Sequence, residues 1–145
     1  MNLKLLNKKD IDKVYLLGKK EFGKQDWYDK EFIVRTLKNS KLSYGLFDKK
    51  KLIGVISVDF LDKPKAWIDF FIIEKDYRRK GYGCFLLKKM IKNLPKEYFL
   101  ILVDVGEKDI SAKKFYKKNG FTREATFKKW FGKKEDGLIY VKRLK

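Results

Sequence analysis

Between an apolar run read as a strand, AWIDFFIIE at residues 66–74, and an apolar pattern at helical spacing lies the hexapeptide Arg78-Arg79-Lys80-Gly81-Tyr82-Gly83. The pattern, Phe85, Leu86, Leu87, Met90, Ile91 and Leu94, stops at Pro95. Strand, glycine loop and helix in that order restrict both fold and chemistry. Two glycines let the backbone approach a ligand closely, and the amides of a helix start, reinforced by three cations, favour an anion there. A pyrophosphate fits such a loop. The Walker spacing G-x-x-x-x-G-K-S/T is absent, and the dinucleotide fingerprint needs a third glycine where Leu86 stands. The competing reading of the loop alone is a tight turn with solvated cations.

Around this loop the chain alternates strand-like and helix-like segments. The opening LKLL reads as a short strand, and Asp10 is expected to cap a helix whose apolar face is Ile11, Val14, Tyr15, Leu16 and Leu17. A second helix is expected from about Trp27 to Lys38. LSYGLF and KLIGVISVDFL follow as strands joined by a turn at Asp48-Lys49-Lys50. After the glycine loop and its helix, YFLILVDV is nearly continuous in apolar residues, the signature of a strand buried on both faces in a parallel sheet. A helix from Ile110 to Lys118 with Asn119-Gly120 as its stop leads into FTREATFKKWF and GLIYVKRL, two strands joined by residues 132–136. The expected order is β α α β β β α β α β β. No Pro-, Gly- or Ser-rich stretch and no repeat interrupts it, so residues 1–145 read as a single domain.

Composition narrows the chemistry. The chain contains no histidine and one cysteine, Cys84, which excludes Ser-His-Asp and Cys-His mechanisms and leaves no ordinary zinc or copper ligand set. No metal is expected. Proton transfer near neutral pH then falls to a carboxylate, tyrosine, lysine, thiol or water. The net charge of +18 biases the molecule toward phosphates, nucleic acid or anionic surfaces. Only Arg35, Arg78, Arg79, Arg123 and Arg143 are arginines, whereas base-edge readers lean on arginine, so the lysine excess reads first as a solvated surface. No apolar run approaches the ~18 residues of a spanning helix. The first residues, MNLKLLNKKDIDK, lack the apolar core and cleavage site of a secretory signal, and a cytoplasmic protein is the default expectation.

Three strings together resemble one family. The pattern R-x-x-G-x-G at Arg78, Gly81 and Gly83 resembles the acetyl-CoA loop of the GCN5-related N-acetyltransferases (GNAT). The segment from Ser111 to Phe121, SAKKFYKKNGF, is similar to that family's A-x-x-x-Y-x-x-x-G-F block, and KKWFGKKEDGLIYVKRL resembles its closing hairpin. The resemblance spans Leu3 to Leu144, and within the family it points to the ribosomal-protein-alanine and other protein N-acetyltransferases. It implies an α/β fold with a mixed, mostly antiparallel sheet flanked by helices and splayed between the fourth and fifth strands.

It also implies a co-substrate and a reaction. Acetyl-CoA and a primary amine would bind together, and the amine would attack the thioester directly. Backbone groups of Phe71, Ile72 and Ile73 would pair with the pantetheine arm and supply an oxyanion contact. The amides of Arg79, Lys80, Gly81, Tyr82, Gly83 and Cys84 would wrap the pyrophosphate, with Arg78 shaping the loop. Cys84 itself reads as a small apolar helix residue before it reads as a reactive thiol. Tyr116 matches the tyrosine that protonates the departing thiolate; its competing role is an aromatic packed beside Phe115. Two carboxylates compete for the general base, Asp104 in the fifth strand and Asp69 in the fourth, with water as the third alternative.

Two positions depart from the family pattern. Asp109 stands where an asparagine usually contacts the cofactor, and it brings negative charge toward phosphopantetheine. Trp130-Phe131 replaces a tyrosine pair common before the last hairpin turn of N-terminal acetyltransferases, keeping aromatic walls without their hydroxyls. The acceptor is therefore ranked as a protein or peptide amine first and a small amine second. Polyamines would be repelled at +18 unless acids such as Asp59, Asp62 and Asp69 gather at the site. The rival from another class is a catalytically decayed basic module holding nucleic acid or acyl-CoA. No membrane partner is expected.

Overall fold

The computed structural model describes residues 1–145. Its strands are β1 (Asn2–Leu5), β2 (Leu42–Asp48), β3 (Lys51–Phe60), β4 (Lys65–Ile73), β5 (Leu100–Gly106), β6 (Thr122–Phe127) and β7 (Gly137–Arg143). The helices are α1 (Ile11–Phe22), α2 (Lys30–Asn39), α3 (Tyr82–Asn93) and α4 (Ile110–Lys118), with 3-10 turns at Lys8–Asp10 and Lys75–Tyr77. The strand order is β1-β2-β3-β4-β5-β7-β6. The pairs β1–β2, β2–β3, β5–β7 and β6–β7 are antiparallel, and β4–β5 is parallel. This is the expected mixed, mostly antiparallel α/β sheet.

Chain contacts group into two compact units, Met1–Asp59 with Asp69–Pro95, and Phe60–Ile68 with Lys96–Lys145. In the first unit, α1 and α2 bury Val14, Leu17 and Ile33 with Phe47, Leu52, Val55, Phe70 and Ile72 of the strands. Ile33 has no exposed surface, so its truncation to alanine costs roughly 2–5 kcal/mol in lost burial and cavity. Tyr28 joins this cluster, and its hydroxyl donates to Tyr15 O at 2.8 Å. The end of α2 is tied to β2 and β3 by hydroxyls: Ser40 donates to Val58 O at 2.6 Å, and Ser57, itself 2.7 Å from Ser43, donates to Ser40 at 2.8 Å.

In the second unit the core is Ile101, Val103 and Val105 of β5, Tyr116 of α4, Phe121, and Leu138 through Val141 of β7. The β4–β5 register runs from Lys65↔Leu100 to Ile68↔Val103 and ends there, although β4 continues to Ile73 and β5 to Gly106.

Four local expectations need correction. Asp10 stands at the N-cap of α1 as expected, but its side chain makes no capping bond there: the carboxylate accepts from Asn7 N–H at 3.0 Å, closing a capping box on the preceding 3-10 turn. Helix α2 starts at Lys30 rather than near Trp27, because the Asp29 side chain accepts from Phe32 N–H at 2.7 Å and sets the start there. Strand β5 is not buried on both faces; Ile101, Val103 and Val105 are buried while Leu100, Leu102, Asp104 and Gly106 are half-buried. Strand β6 ends at Phe127, and the following residues turn through Lys129, whose φ is +54°.

Candidate active site

The first unit contributes the glycine loop. As β4 ends, Glu74 N–H donates to Ile53 O at 2.7 Å, and its buried carboxylate accepts from Asp76 N–H at 2.9 Å. Lys20 and Lys51 each lie 3.7 Å from the same carboxylate. The Asp76 amide, followed by the two ammoniums, holds Glu74 below the usual carboxylate range against the opposing effect of burial. Tyr77 donates to Asp48 Oδ2 at 2.8 Å, pinning the 3-10 turn to the β2–β3 hairpin.

Arg78 is occupied by protein. Its Nε donates to Ile73 O at 2.8 Å, and Nη2 pairs with Glu21 of α1 at 3.0 Å. The side chain thus folds back onto β4 and α1 rather than extending from the loop. Arg79 and Gly81 follow in left-handed conformations, with φ of +62° and +88°. Lys80 lies over the Tyr77 ring, 5.7 Å from its centre.

Gly81 is the N-cap of α3, and no side chain caps the helix. The first intrahelical bond is Phe85 N–H to Gly81 O at 3.0 Å, so the amides of Tyr82, Gly83 and Cys84 precede it. A Cβ at Gly81 would meet no atom within 4 Å. The loop is therefore an open cradle of amides bordered by Arg79 and Lys80, which fits a phosphate group. Cys84 is half-buried in the first turn. Ile72 is buried, while Phe71, Ile73 and the candidate base Asp69 are half-buried on β4, in the stretch beyond its pairing with β5.

The second unit holds the candidate acid Tyr116 and the candidate base Asp104. Asp109 is the N-cap of α4, its Oδ1 accepting from Ala112 N–H at 3.0 Å. That bond gives the departure from asparagine a local reason, since aspartate caps as well as asparagine and adds charge at the favourable end of the helix dipole. About two turns on, Tyr116 is buried, edge-on to Phe121 at 5.2 Å and tilted to Tyr140 at 6.3 Å. Burial, then the negative charges of Asp104 and Asp109, push its phenol far above its ordinary value. The hydroxyl keeps its proton throughout the working pH range.

Asp104 is half-buried on β5. Burial raises its carboxyl above the ordinary aspartate value, and a hydrogen bond from Trp130 Nε1 to Oδ2, 2.7 Å long, opposes the rise. By sequence Trp130 is only an aromatic wall, and nothing adjacent to it in the chain signals this bond. The ring lies on Gly137, where a Cβ would collide with the indole Cδ1, and it packs against Phe127 at 5.1 Å. Glycine at the start of β7 was the available signal, because it leaves room for a flat ring. Glu135 was read only as part of the closing turn; its carboxylate lies against Gly106 and accepts from Lys108 N–H at 3.2 Å. Asp62, one of the acids weighed for a cationic acceptor, is paired with Lys65 at 3.0 Å.

Asp104, Asp109, Tyr116 and Trp130 thus lie in one unit, and the glycine loop with Phe71, Ile72 and Ile73 lies in the other. No helix is long and apolar enough to cross a membrane.

A family model described as the acetyltransferase (GNAT) family matches residues 9–121. Among solved structures, the Streptococcus mutans UA159 protein smu.2055 is 25% identical, with a TM-score of 0.85 and 100% of both chains covered. The ribosomal-protein-S18-alanine N-acetyltransferase from Escherichia coli is 17% identical, with a TM-score of 0.82 over 98% of this chain and 92% of that one. A GNAT family acetyltransferase from Elizabethkingia anophelis with acetyl-CoA bound is 18% identical, with a TM-score of 0.79 over 99% and 97%. The last two likenesses bear on the fold alone.

Proposed function

Because the chain belongs to the acetyltransferase (GNAT) family, we propose that residues 1–145 act as one domain that carries an acetyl group from acetyl-CoA to a primary amine of a protein or peptide. Acetyl-CoA supplies the activated acyl group as a thioester. The open amide cradle at Gly81 supports pyrophosphate binding by the backbone of residues 79–84. The stretch of β4 beyond its pairing with β5 supports backbone pairing of Phe71, Ile72 and Ile73 with an extended pantetheine arm, one amide of which meets the oxyanion.

The observation that carries the reading is that one unit holds a carboxyl with an N–H donor on one of its oxygens and a buried phenol, the two groups that the two proton transfers need. Asp104 is a carboxyl group whose ionised form an indole N–H favours against the effect of burial, and Tyr116 is a phenol that burial keeps protonated. Asp104 takes a proton from the acceptor ammonium, directly or through water. The neutral amine forms the C–N bond as the C–S bond breaks, Tyr116 gives its proton to the departing sulfur, and the proton shed by the new amide nitrogen restores the phenol. Overall one proton is released to solvent.

A peptide acceptor is supported by the aromatic surface of Trp130 and Phe127, exposed by 47% and 45%, which suits a side chain next to the reacting amine. It also agrees with the substrate named for the Escherichia coli neighbour, an alanine of a ribosomal protein.

The test is thiol release from acetyl-CoA against free-N-terminal peptides, internal-lysine peptides, polyamines and amino sugars, with mass spectrometry of the products. Acetylated peptide supports the proposal. Acetylation confined to a small amine moves the acceptor class, and acetyl-CoA binding without transfer to any acceptor overturns catalysis in favour of a binding module.

A further inference from the structure

We infer that Trp130 is a positioning residue for acetyl transfer: its indole N–H fixes Oδ2 of Asp104, so that Oδ1 is the oxygen that takes the acceptor's proton. The inference deepens the reading of Asp104 as general base and rests on it.

Three observations converge on this role. The bond is 2.7 Å long, at the short end for a nitrogen donor to a carboxylate. The ring that makes it is held on two sides, by Phe127 at 5.1 Å and by the Gly137 backbone, where even a methyl group would collide with Cδ1 and Cγ of the indole and with the Trp130 Cβ. Yet Trp130 remains about half exposed, so burial of the ring does not account for its placement. An indole fixed so firmly while presenting a face to solvent is suited to orient a partner.

The groups around Asp104 define what the bond does. On the side of α4 stand the Tyr116 phenol, on which the Asp104 charge acts, and the Asp109 carboxylate at the N-cap, which acts on the same phenol. From β7 its register partner is Ile139, which carries no charge, and Glu135 lies farther along against Gly106. Trp130 is thus the group that donates to Asp104 from the β6–β7 connection without bringing a charge. It favours the ionised carboxylate and fixes its rotamer together, whereas a lysine there would neutralise the base.

The experiment compares Trp130→Phe, Gly137→Ala, Asp104→Asn and the Trp130→Phe/Asp104→Asn double variant with the parent. The probe is a lysine-free peptide with an unblocked α-amine, and kcat/KM is followed across pH. Trp130→Phe keeps a ring on Gly137 and removes the donor. It is expected to move the acid limb up by about half to one pH unit and to lower kcat about tenfold, with KM for acetyl-CoA unchanged. Gly137→Ala displaces the indole while keeping tryptophan, and is expected to move the limb in the same direction. In the Asp104→Asn background the Trp130→Phe change should have no further effect on the limb.

A second readout needs no acceptor: the Trp130 indole 15N–1H resonance should titrate with Asp104 and cease to titrate in Asp104→Asn. A lowered rate with an unmoved acid limb, or an indole resonance indifferent to Asp104, overturns the positioning role. A full acid limb surviving in Asp104→Asn instead overturns the base assignment, and the two failures are distinguishable.

Discussion

Arg78 reaches back to the strand that precedes it, its Nε donating to the carbonyl oxygen of Ile73 at 2.8 Å. The same guanidinium pairs with Glu21 at 3.0 Å, so one planar fork joins β4, the glycine loop and α1. A lysine has the charge but not the fork. Arg78→Lys is expected to keep one contact and lose the other, weakening acetyl-CoA binding about tenfold while lowering Tm by only a few degrees. Calorimetric titration with acetyl-CoA beside a thermal melt checks this; unchanged affinity would show that the loop holds its shape without Arg78.

Tyr116→Phe removes the proposed acid while preserving the ring packed between Phe121 and Tyr140. Turnover is expected to fall by about a hundredfold or more with acetyl-CoA affinity unchanged. Steady-state kinetics and equilibrium binding on the same preparation separate the two, and an undiminished rate would remove Tyr116 from the reaction.

Asp104→Asn should trade activity for stability. Burial raises the native carboxyl above its unfolded value, so folding favours the protonated form. Stability is therefore lost as pH rises from the unfolded value through the native one, and the cost persists at neutral pH. Asparagine still accepts from Trp130 without carrying charge. Melts near neutral pH are expected to show Tm higher by a few degrees, and kinetics to show loss of the acid limb.

Glu74 has the opposite sign. Its native value is depressed, chiefly by the Asp76 amide, so its contribution is present above the unfolded glutamate value and is lost as pH falls through the native one. Glu74→Gln should lower Tm near neutral pH and flatten its dependence on acid, because Lys20 and Lys51 lose their shared partner. A series of melts from neutral to acidic pH gives both quantities. An identical acid dependence in the variant would show that other carboxylates control it.

Gly81→Ala isolates backbone conformation from crowding, since the added methyl meets nothing but the residue sits at φ +88°. The expected cost is roughly 1–2 kcal/mol of stability, with a rise in the Kd for acetyl-CoA because relief of the strain tilts the cradle amides. Chemical denaturation and titration test the two effects separately.

The fold was legible because strand, glycine loop and helix follow one another between residues 66 and 94, and because the strand and helix periods change at recognisable breaks. Helix starts were less legible. Asp10 and Asp29 are both good cap residues, but which amide each carboxylate takes depends on the turn before it: Asp10 was drawn to Asn7 and Asp29 to Phe32. The exposure pattern of β5 was hidden because Leu100 and Leu102 are apolar whether half-buried or buried. The loop and the tyrosine could be placed by motif, as both depend on short-range spacing. The Trp130 bond to Asp104 could not, since the two residues are 26 positions apart and meet only once β5, β6 and β7 pair.

The sheet ends at strands that resist extension. Strand β6 is mostly exposed, its register shifts between Arg123 and Ala125, and Glu124 is clasped by Arg143 through both carboxylate oxygens. Strand β1 at the opposite edge has only four residues and includes Lys4. An incoming strand would meet a bulge and a neutralised but bulky ion pair on one side and a short, charged ribbon on the other. Together with self-repulsion at +18, this favours colloidal solubility at the high concentrations needed for spectroscopy, and makes precipitation by polyanions a greater hazard than fibril growth.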